Sequence, residues 1–453
     1  MKDHLRSAVV PLYVLLCLVL GGSSQGVWSN ALLQLLGAII LGWSLLAPAA
    51  EPVTRAAKAL FVLSGLLVLL IAAQLVPLPP DIWSALPGRE QVAQGFRLLG
   101  GPLPSLPLSL APYATMATAM TLLPPAAVLS GMLVARAYRP GWLAVAILVG
   151  TFAAVLIGIL QVGSADPTKS PWYFYERTNH GLATGFFANS NHMASLLAIS
   201  VALLLALVGD LRDRAKNAKA KSAILLFTAG GLVVLLLGIV LNGSIAILLI
   251  GPPVLATSAL MVLPSGMKLR RPLAGLAFLG AAAMLVVYLT PLHDRLMRGG
   301  TTSLEERKEM WSNSLAAIAD HLPLGSGIGT FPRIYAGYED RLAVTRTYVN
   351  HAHNDYLEIA LETGIPGLLL LALFLFWWAR RVGSVWRPSL TDRYAQAATI
   401  ASAALLLHSL VDYPLRTAAL SAIMAACVAI MAQPRARSGD SAGDLWPTRH
   451  LTV

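Results

Sequence analysis

Residues 348–367 read Tyr348-Val-Asn-His-Ala-His-Asn-Asp-Tyr-Leu-Glu-Ile-Ala-Leu-Glu-Thr-Gly-Ile-Pro-Gly367, and an apolar run from Leu368 to Ala379 follows at once. Two histidines, two asparagines, an aspartate and two glutamates therefore stand where a chain enters a membrane. Ionisable groups are costly in that position and mark function. Asp355 and Glu358 have the N-cap and N3 spacing of a capping box, which predicts a helix start near Asp355. His351 and His353 then fall in the loop before the helix, where they can face a cavity. Glu358 and Glu362, at i and i+4, share one helix face. The helix N-terminus adds a weak positive field that suits a phosphate-bearing ligand, partly cancelled by Asp355 and Glu358.

Outward from this stretch, composition sets the class. Hydrophobic residues make up 56% of the 453-residue chain and charged residues only 12%, the balance of a polytopic membrane protein. Twelve apolar segments have the roughly 17–25 residues needed to cross a bilayer. They lie at about 7–24, 31–50, 56–77, 114–135, 141–162, 191–209, 222–241, 244–263, 272–290, 357–379, 395–411 and 415–432, which predicts an all-α bundle of twelve transmembrane helices. Asn242-Gly-Ser244 and Asp412-Tyr-Pro414 read as tight turns between antiparallel helices. Met1 to Arg6 and the apolar run after it read as an uncleaved first helix, since no small-residue cleavage site is clear. Cys17 and Cys427 both lie in apolar runs and assign no redox compartment.

Charge sets the orientation. With the N-terminus cytoplasmic, 21 of the 33 Lys and Arg fall inside and 12 outside, seven of those twelve in one long loop. Both termini are then cytoplasmic. The net charge of +11 is thus a topology signal and not a nucleic-acid footprint. No Lys or Arg falls in the middle of a predicted span, which argues against a voltage sensor or a basic ion pathway. A carboxylate proton relay is less firmly excluded, because Glu358 and Glu362 sit in the first turns of a span. No internal repeat supports a transporter with inverted halves.

Three external segments are long: 78–113, 163–190 and 291–356, the last about 66 residues. A loop of that length in a compact protein is usually functional. Ser303 and Glu306 form a second capping box, after which Leu304, Trp311, Leu315, Ile318 and Leu322 share a face, predicting a helix on the membrane surface. Residues 1–433 form one transmembrane domain, and 434–453 read as a disordered cytoplasmic tail.

His351-Ala-His353 with Asp355 has three readings: a metal site, a hydrogen-bonded helix start, or acid–base work by one histidine. No Cys or Glu-x-x-His partner supports metal, and the ordinary pKa of histidine suits acid–base chemistry. Arg298 and Arg307 precede this stretch in the same loop. Each is either a snorkelling arginine or a bidentate ligand for phosphate oxygens. Arg177 and Arg416 are further external candidates beside spans. Pro323-Leu-Gly-Ser-Gly-Ile-Gly-Thr-Phe331 mimics a nucleotide-binding loop, but lacks the strand before it and the Lys-Ser/Thr after it, and reads as a turn. His408 and Asp412 stand about one helical turn apart, as a structural hairpin or as part of a site.

These residues resemble the bacterial O-antigen ligase and O-antigen/exopolysaccharide polymerase superfamily. His353-Asn354, nine residues, Gly364, two residues and Gly367 are similar to that family's His-Asn-x9-Gly-x-x-Gly pattern. Gly185-Phe-Phe-Ala-Asn-Ser-Asn-His192, Glu306-Arg-Lys-Glu-Met-Trp311, Pro323 to Gly329 and His408 to Asp412 look like recurring family blocks in the right order. One departure is Ser190, where related sequences often carry an arginine. The resemblance implies a GT-C-like, metal-independent glycosyltransferase of the inner membrane without cofactors, its active site facing the periplasm. It implies undecaprenyl-diphosphate-linked glycan as donor and a glycan or lipid A core as acceptor, with a chain-length regulator and export proteins as partners. His353 is then the general base. The substrate-binding set it implies is Arg298, Arg307, Arg177, His351, Asn354, Asp355, Asn191, His192, Asp412 and Arg416. Repeat-unit polymerisation is the leading expectation, ligation to lipid A core the alternative within the family, and a flippase of lipid-linked glycan the alternative of another class.

Overall fold

The computed structural model describes residues 2–24, 27–47, 52–262, 292–340, 349–387 and 392–433. Apart from a two-residue strand pair, Pro77–Leu78 with Leu106–Pro107, the regular structure described is helical. The first half comprises α1 (Lys2–Leu20), α2 (Trp28–Leu46), α3 (Arg55–Leu75), α4 (Pro80–Trp83), α5 (Glu90–Leu98), α6 (Pro112–Met120), α7 (Leu123–Leu133) and α8 (Pro140–Val162). The second comprises α9 (Ser190–Arg214), α10 (Ala218–Asn242), α11 (Ala246–Val262), α12 (Leu292–His321), α13 (Phe331–Tyr335), α14 (Asp355–Val385), α15 (Arg393–His408) and α16 (Ala418–Ala432).

Eight described helices or helix pairs are long and apolar enough to cross a membrane: α1, α2, α3, α6 with α7, α8, α9, α10 and α14. This is a polytopic helical membrane protein. Three further predicted spans appear as shorter helices, α11, α15 and α16, of 17, 16 and 15 residues. The predicted span 272–290 and the tail 434–453 lie outside the described residues. The segment predicted as one span at 114–135 is broken near Thr121, because Pro124 and Pro125 cannot donate to the preceding turn.

Helix α9 is apolar on every side and forms the centre, packed against α8, α10, α11 and α15. Small residues bring the helices together there, and Thr151 and Ser200 share a buried hydrogen bond of 2.7 Å. Helix α16 completes the core against α1, α7 and α15. The α10–α11 link turns on Gly243, whose φ of 61° provides the left-handed residue that closes α10.

The long external loop is largely helical, but not as predicted. Helix α12 runs from Leu292 straight through position 303, so no helix begins at the predicted capping box. Its packed face carries Met310, Ser314, Ala317, Ile318 and His321, whereas Leu315 is 56% exposed. The contact face is offset from the expected stripe because the small Ser314 and Ala317 let α12 settle onto Phe331, Tyr335 and Leu361.

Helix α14 is interrupted at Gly364, with φ 57° and ψ −150°. The Pro323–Gly329 segment docks into this break: Ile365 N–H donates to Pro323 O (2.8 Å), Ser326 N–H to Leu361 O (2.9 Å) and Gly327 N–H to Glu362 O (2.9 Å). The glycine-rich stretch is thus a packed loop. Gln74 of α3 joins both parts, donating to Glu362 O and accepting from Ile328 N–H, each at 2.9 Å. A Cβ on Gly364 would lie 2.2 Å from Pro323 O. Gly364→Ala should therefore destabilise the protein by at least about 1–3 kcal/mol, the cost of a strained backbone alone. Gly383→Ala, where a Cβ meets nothing within 4 Å, should be neutral or stabilising. Thermal unfolding in detergent compares the two; equal melting temperatures would contradict the packing described.

Candidate active site

Asn354 begins α14. Its Oδ1 accepts from Tyr356 and Leu357 N–H (3.0 and 3.1 Å), and its Nδ2 donates to Leu410 O (3.0 Å). The cap is therefore Asn354 and not Asp355, which is drawn inward to Ser409 Oγ at 2.8 Å. Glu358 likewise closes no capping box. Its Oε2 accepts from Ala352 N–H (3.2 Å), and its Oε1 lies 2.8 Å from His351 Nδ1. His351 Nε2 in turn meets Ser24 Oγ at 3.1 Å, so both of its ring nitrogens are engaged.

His353 sits one residue before the cap with φ 48°, an uncommon conformation for a side chain of its size. Its Nδ1 lies 3.2 Å from Asp412 Oδ1, though not aligned for a hydrogen bond, and its side chain is 25% exposed. Asp412 is wholly buried. Its carboxylate accepts from Asn191 Nδ2 and from Tyr413 N–H. His192 Nε2 and His408 Nε2 each stand 3.9 Å from it, giving one carboxylate three histidine neighbours. Burial pushes the Asp412 carboxyl up, but the contact with His353 and the charges of His353, His192 and His408 outweigh it. The group is held well below the ordinary carboxylate range. The Tyr413 ring packs against His351, His353 and His192 at centroid distances of 4.1, 4.9 and 5.1 Å.

A second charged cluster lies alongside. Arg416 reaches Asp355 Oδ1 (3.4 Å), Glu358 Oε1 (3.4 Å) and Glu362 Oε2 (3.2 Å), all three carboxylates being buried. Glu362 Oε1 also accepts from Gly329 and Phe331 N–H (2.8 and 3.3 Å). Arg416 was expected to face substrate, but a phosphate would have to compete with these three carboxylates for its guanidinium.

The structure thus brings Asn191, His192, His351, His353, Asn354, Asp355, Asp412 and Arg416 together at one end of the bundle. Arg307 is half-buried on α12, and its charge acts on His408. Arg177 is exposed in the segment before α9. The Arg298 side chain lies outside the described residues. Among the described residues, no group of three or more His, Cys, Asp and Glu has the arrangement of a metal site. Sequence reasoning did not place Tyr413, Gln74 or Ser24 here. His408 was visible through its i, i+4 spacing to Asp412 and through the family-like block His408 to Asp412.

Residues 181–372 match the family model described as O-antigen ligase. This segment belongs to the O-antigen ligase/polymerase superfamily. No curated protein matches the chain. The superfamily is one of glycosyl-transferring enzymes that act on lipid-linked glycans and acceptors. The matched segment carries Asn191, His192, Arg307, His353, Glu358 and Glu362. Asp412, Tyr413 and Arg416 lie beyond it and reach the site through the turn between α15 and α16.

Removing one partner of a buried ion cluster typically costs about 3–5 kcal/mol, because the remaining charges stay unpaired. Arg416→Met should destabilise on that scale, and Arg416→Lys should recover only part, since an ammonium cannot span three carboxylates as a guanidinium does. Chemical or thermal unfolding of the two variants tests this; an Arg416→Met protein as stable as wild type would contradict the clamp.

Proposed function

We propose that the protein transfers a glycan from undecaprenyl diphosphate to a sugar hydroxyl at the periplasmic face of the inner membrane, as a repeat-unit polymerase. The observation that carries this is the pairing of the partly exposed His353 ring with the buried Asp412 carboxylate. With Nδ1 turned to Asp412, Nε2 lies at the opposite edge of the ring and takes the proton of the acceptor hydroxyl. That oxygen bonds to the anomeric carbon, and the bond from this carbon to the diphosphate oxygen breaks. The diphosphate leaves with the bonding electrons, so no acid is required for its departure. Asp412 orients the imidazole and balances the imidazolium that forms.

In this reading Arg307, half-buried on α12, meets the diphosphate, with Arg298 and Arg177 completing the set. The reaction needs no metal in this scheme, because cationic side chains balance the leaving group. The distribution of Lys and Arg supports twelve spans with both termini cytoplasmic, which puts the loop containing His353 outside. The chain then forms one GT-C-like membrane domain over residues 1–433.

Purified protein supplied only with an undecaprenyl-diphosphate-linked repeat unit should build a ladder of longer chains. If products stay at one repeat until lipid A core is added, ligation replaces polymerisation. His353→Ala should lower transfer by about 10²–10⁴-fold, the usual contribution of a general base. Its thermal unfolding should stay close to wild type, and a folded His353→Ala protein with normal activity would contradict the mechanism.

A further inference from the structure

The peptide groups on either side of the residue before His353 are held by side chains from two different helices. Ala352 N–H donates to Glu358 Oε2 at 3.2 Å, and Ala352 O accepts from Trp311 Nε1 at 3.1 Å. Ala352 itself is 0% exposed, in the small cluster of Ala317, Phe331, Tyr335 and Leu361. The next residue is His353, whose φ of 48° is left-handed. A non-glycine residue persists in such a conformation only where its surroundings over-determine it. The imidazole lies 3.2 Å from Asp412 without an aligned hydrogen bond and packs edge-on against Tyr413, contacts that place the ring rather than the backbone. The backbone is instead fixed one residue earlier.

We infer that Trp311 is a positioning residue for transfer, using its indole N–H to hold the Ala352 carbonyl and, through it, the left-handed turn that presents His353 to the acceptor. This rests on the reading of His353 as the base. Trp311 is half-buried on α12, one helical turn after Arg307, so the helix proposed to meet the diphosphate also steadies the base. Glu358 holds the same residue from the other side, as part of the Arg416 cluster. A structural tryptophan would contribute to stability through its ring. A positioning tryptophan contributes to turnover through its N–H.

Trp311→Phe keeps an aromatic ring and removes the donor. Displacement of a catalytic group by about 1 Å can cost on the order of 10²-fold, so we expect kcat to fall about 10- to 100-fold with KM for the lipid-linked donor unchanged. In a His353→Ala background the same change should cost nothing more, because it acts only through His353. Should Trp311→Phe fail to fold, benzothienylalanine at position 311 preserves the bicyclic shape without the N–H, and the same two results are expected. A kcat within twofold of wild type, while His353→Ala is inactive, overturns the inference and leaves the mechanism standing. An equal loss in both backgrounds also overturns it, placing Trp311 in folding or substrate contact. Full activity in His353→Ala defeats the mechanism itself, and the inference falls with it.

Discussion

A carboxylate taken out of water must be paired or it destabilises everything around it, and Asp412 is buried to 0% exposure. Three separate parts of the chain converge to meet that requirement. The start of α9 provides Asn191 and His192, the end of α15 provides His408, and the loop before α14 provides His353. The turn carrying Asp412 adds its own Tyr413 N–H. Of the three histidines, His192 and His408 are buried, while His353 keeps a quarter of its side chain exposed. Among them, His353 alone is open enough to meet a substrate, while His192 and His408 wall the carboxylate in.

The second cluster explains why this arrangement is firm. Arg416 follows Asp412 by four residues and binds three carboxylates of α14, which locks the α15–α16 turn against the first turns of that helix. Glu362 passes the constraint on to the Pro323–Gly329 loop, and Gln74 passes it to α3. His351 joins the two clusters, bonded to Glu358 and stacked on Tyr413. Helix α14 can bend at Gly364 to accept that loop because glycine alone tolerates both the dihedral angles and the contact with Pro323 O.

Much of this was legible in the sequence for simple reasons. Hydrophobic length revealed eight of the long helices, and the dense polar stretch at 348–367 falls where the two charged clusters assemble. The His-Asn-x9-Gly-x-x-Gly spacing pointed to the superfamily that the match over 181–372 identifies. The errors came where local rules met tertiary competition. Asp355 and Glu358 satisfy the spacing of a capping box, yet Arg416 and Ser409 draw Asp355 away and Asn354 takes the cap. Ser303 has a capping signal that the longer α12 overrides. The amphipathic reading of α12 followed its large residues and found Ile318, but missed that the closest approach is made through Ser314 and Ala317 while Leu315 faces outward. Arg416 looked like a phosphate ligand because one-dimensional reading cannot show that three carboxylates wait for it. No local pattern announces Tyr413, whose role comes from three histidine rings assembled by distant segments.

The central claim is that Asp412 makes His353 the base. It is tested most directly by the turnover of purified Asp412→Asn, which keeps the side chain's shape and removes its charge. With lipid-linked repeat unit as substrate, kcat of the folded fraction should fall by about 10²–10⁴-fold, the scale of lost base catalysis, while KM for the donor holds. A folded Asp412→Asn protein that turns over at the wild-type rate would contradict the account.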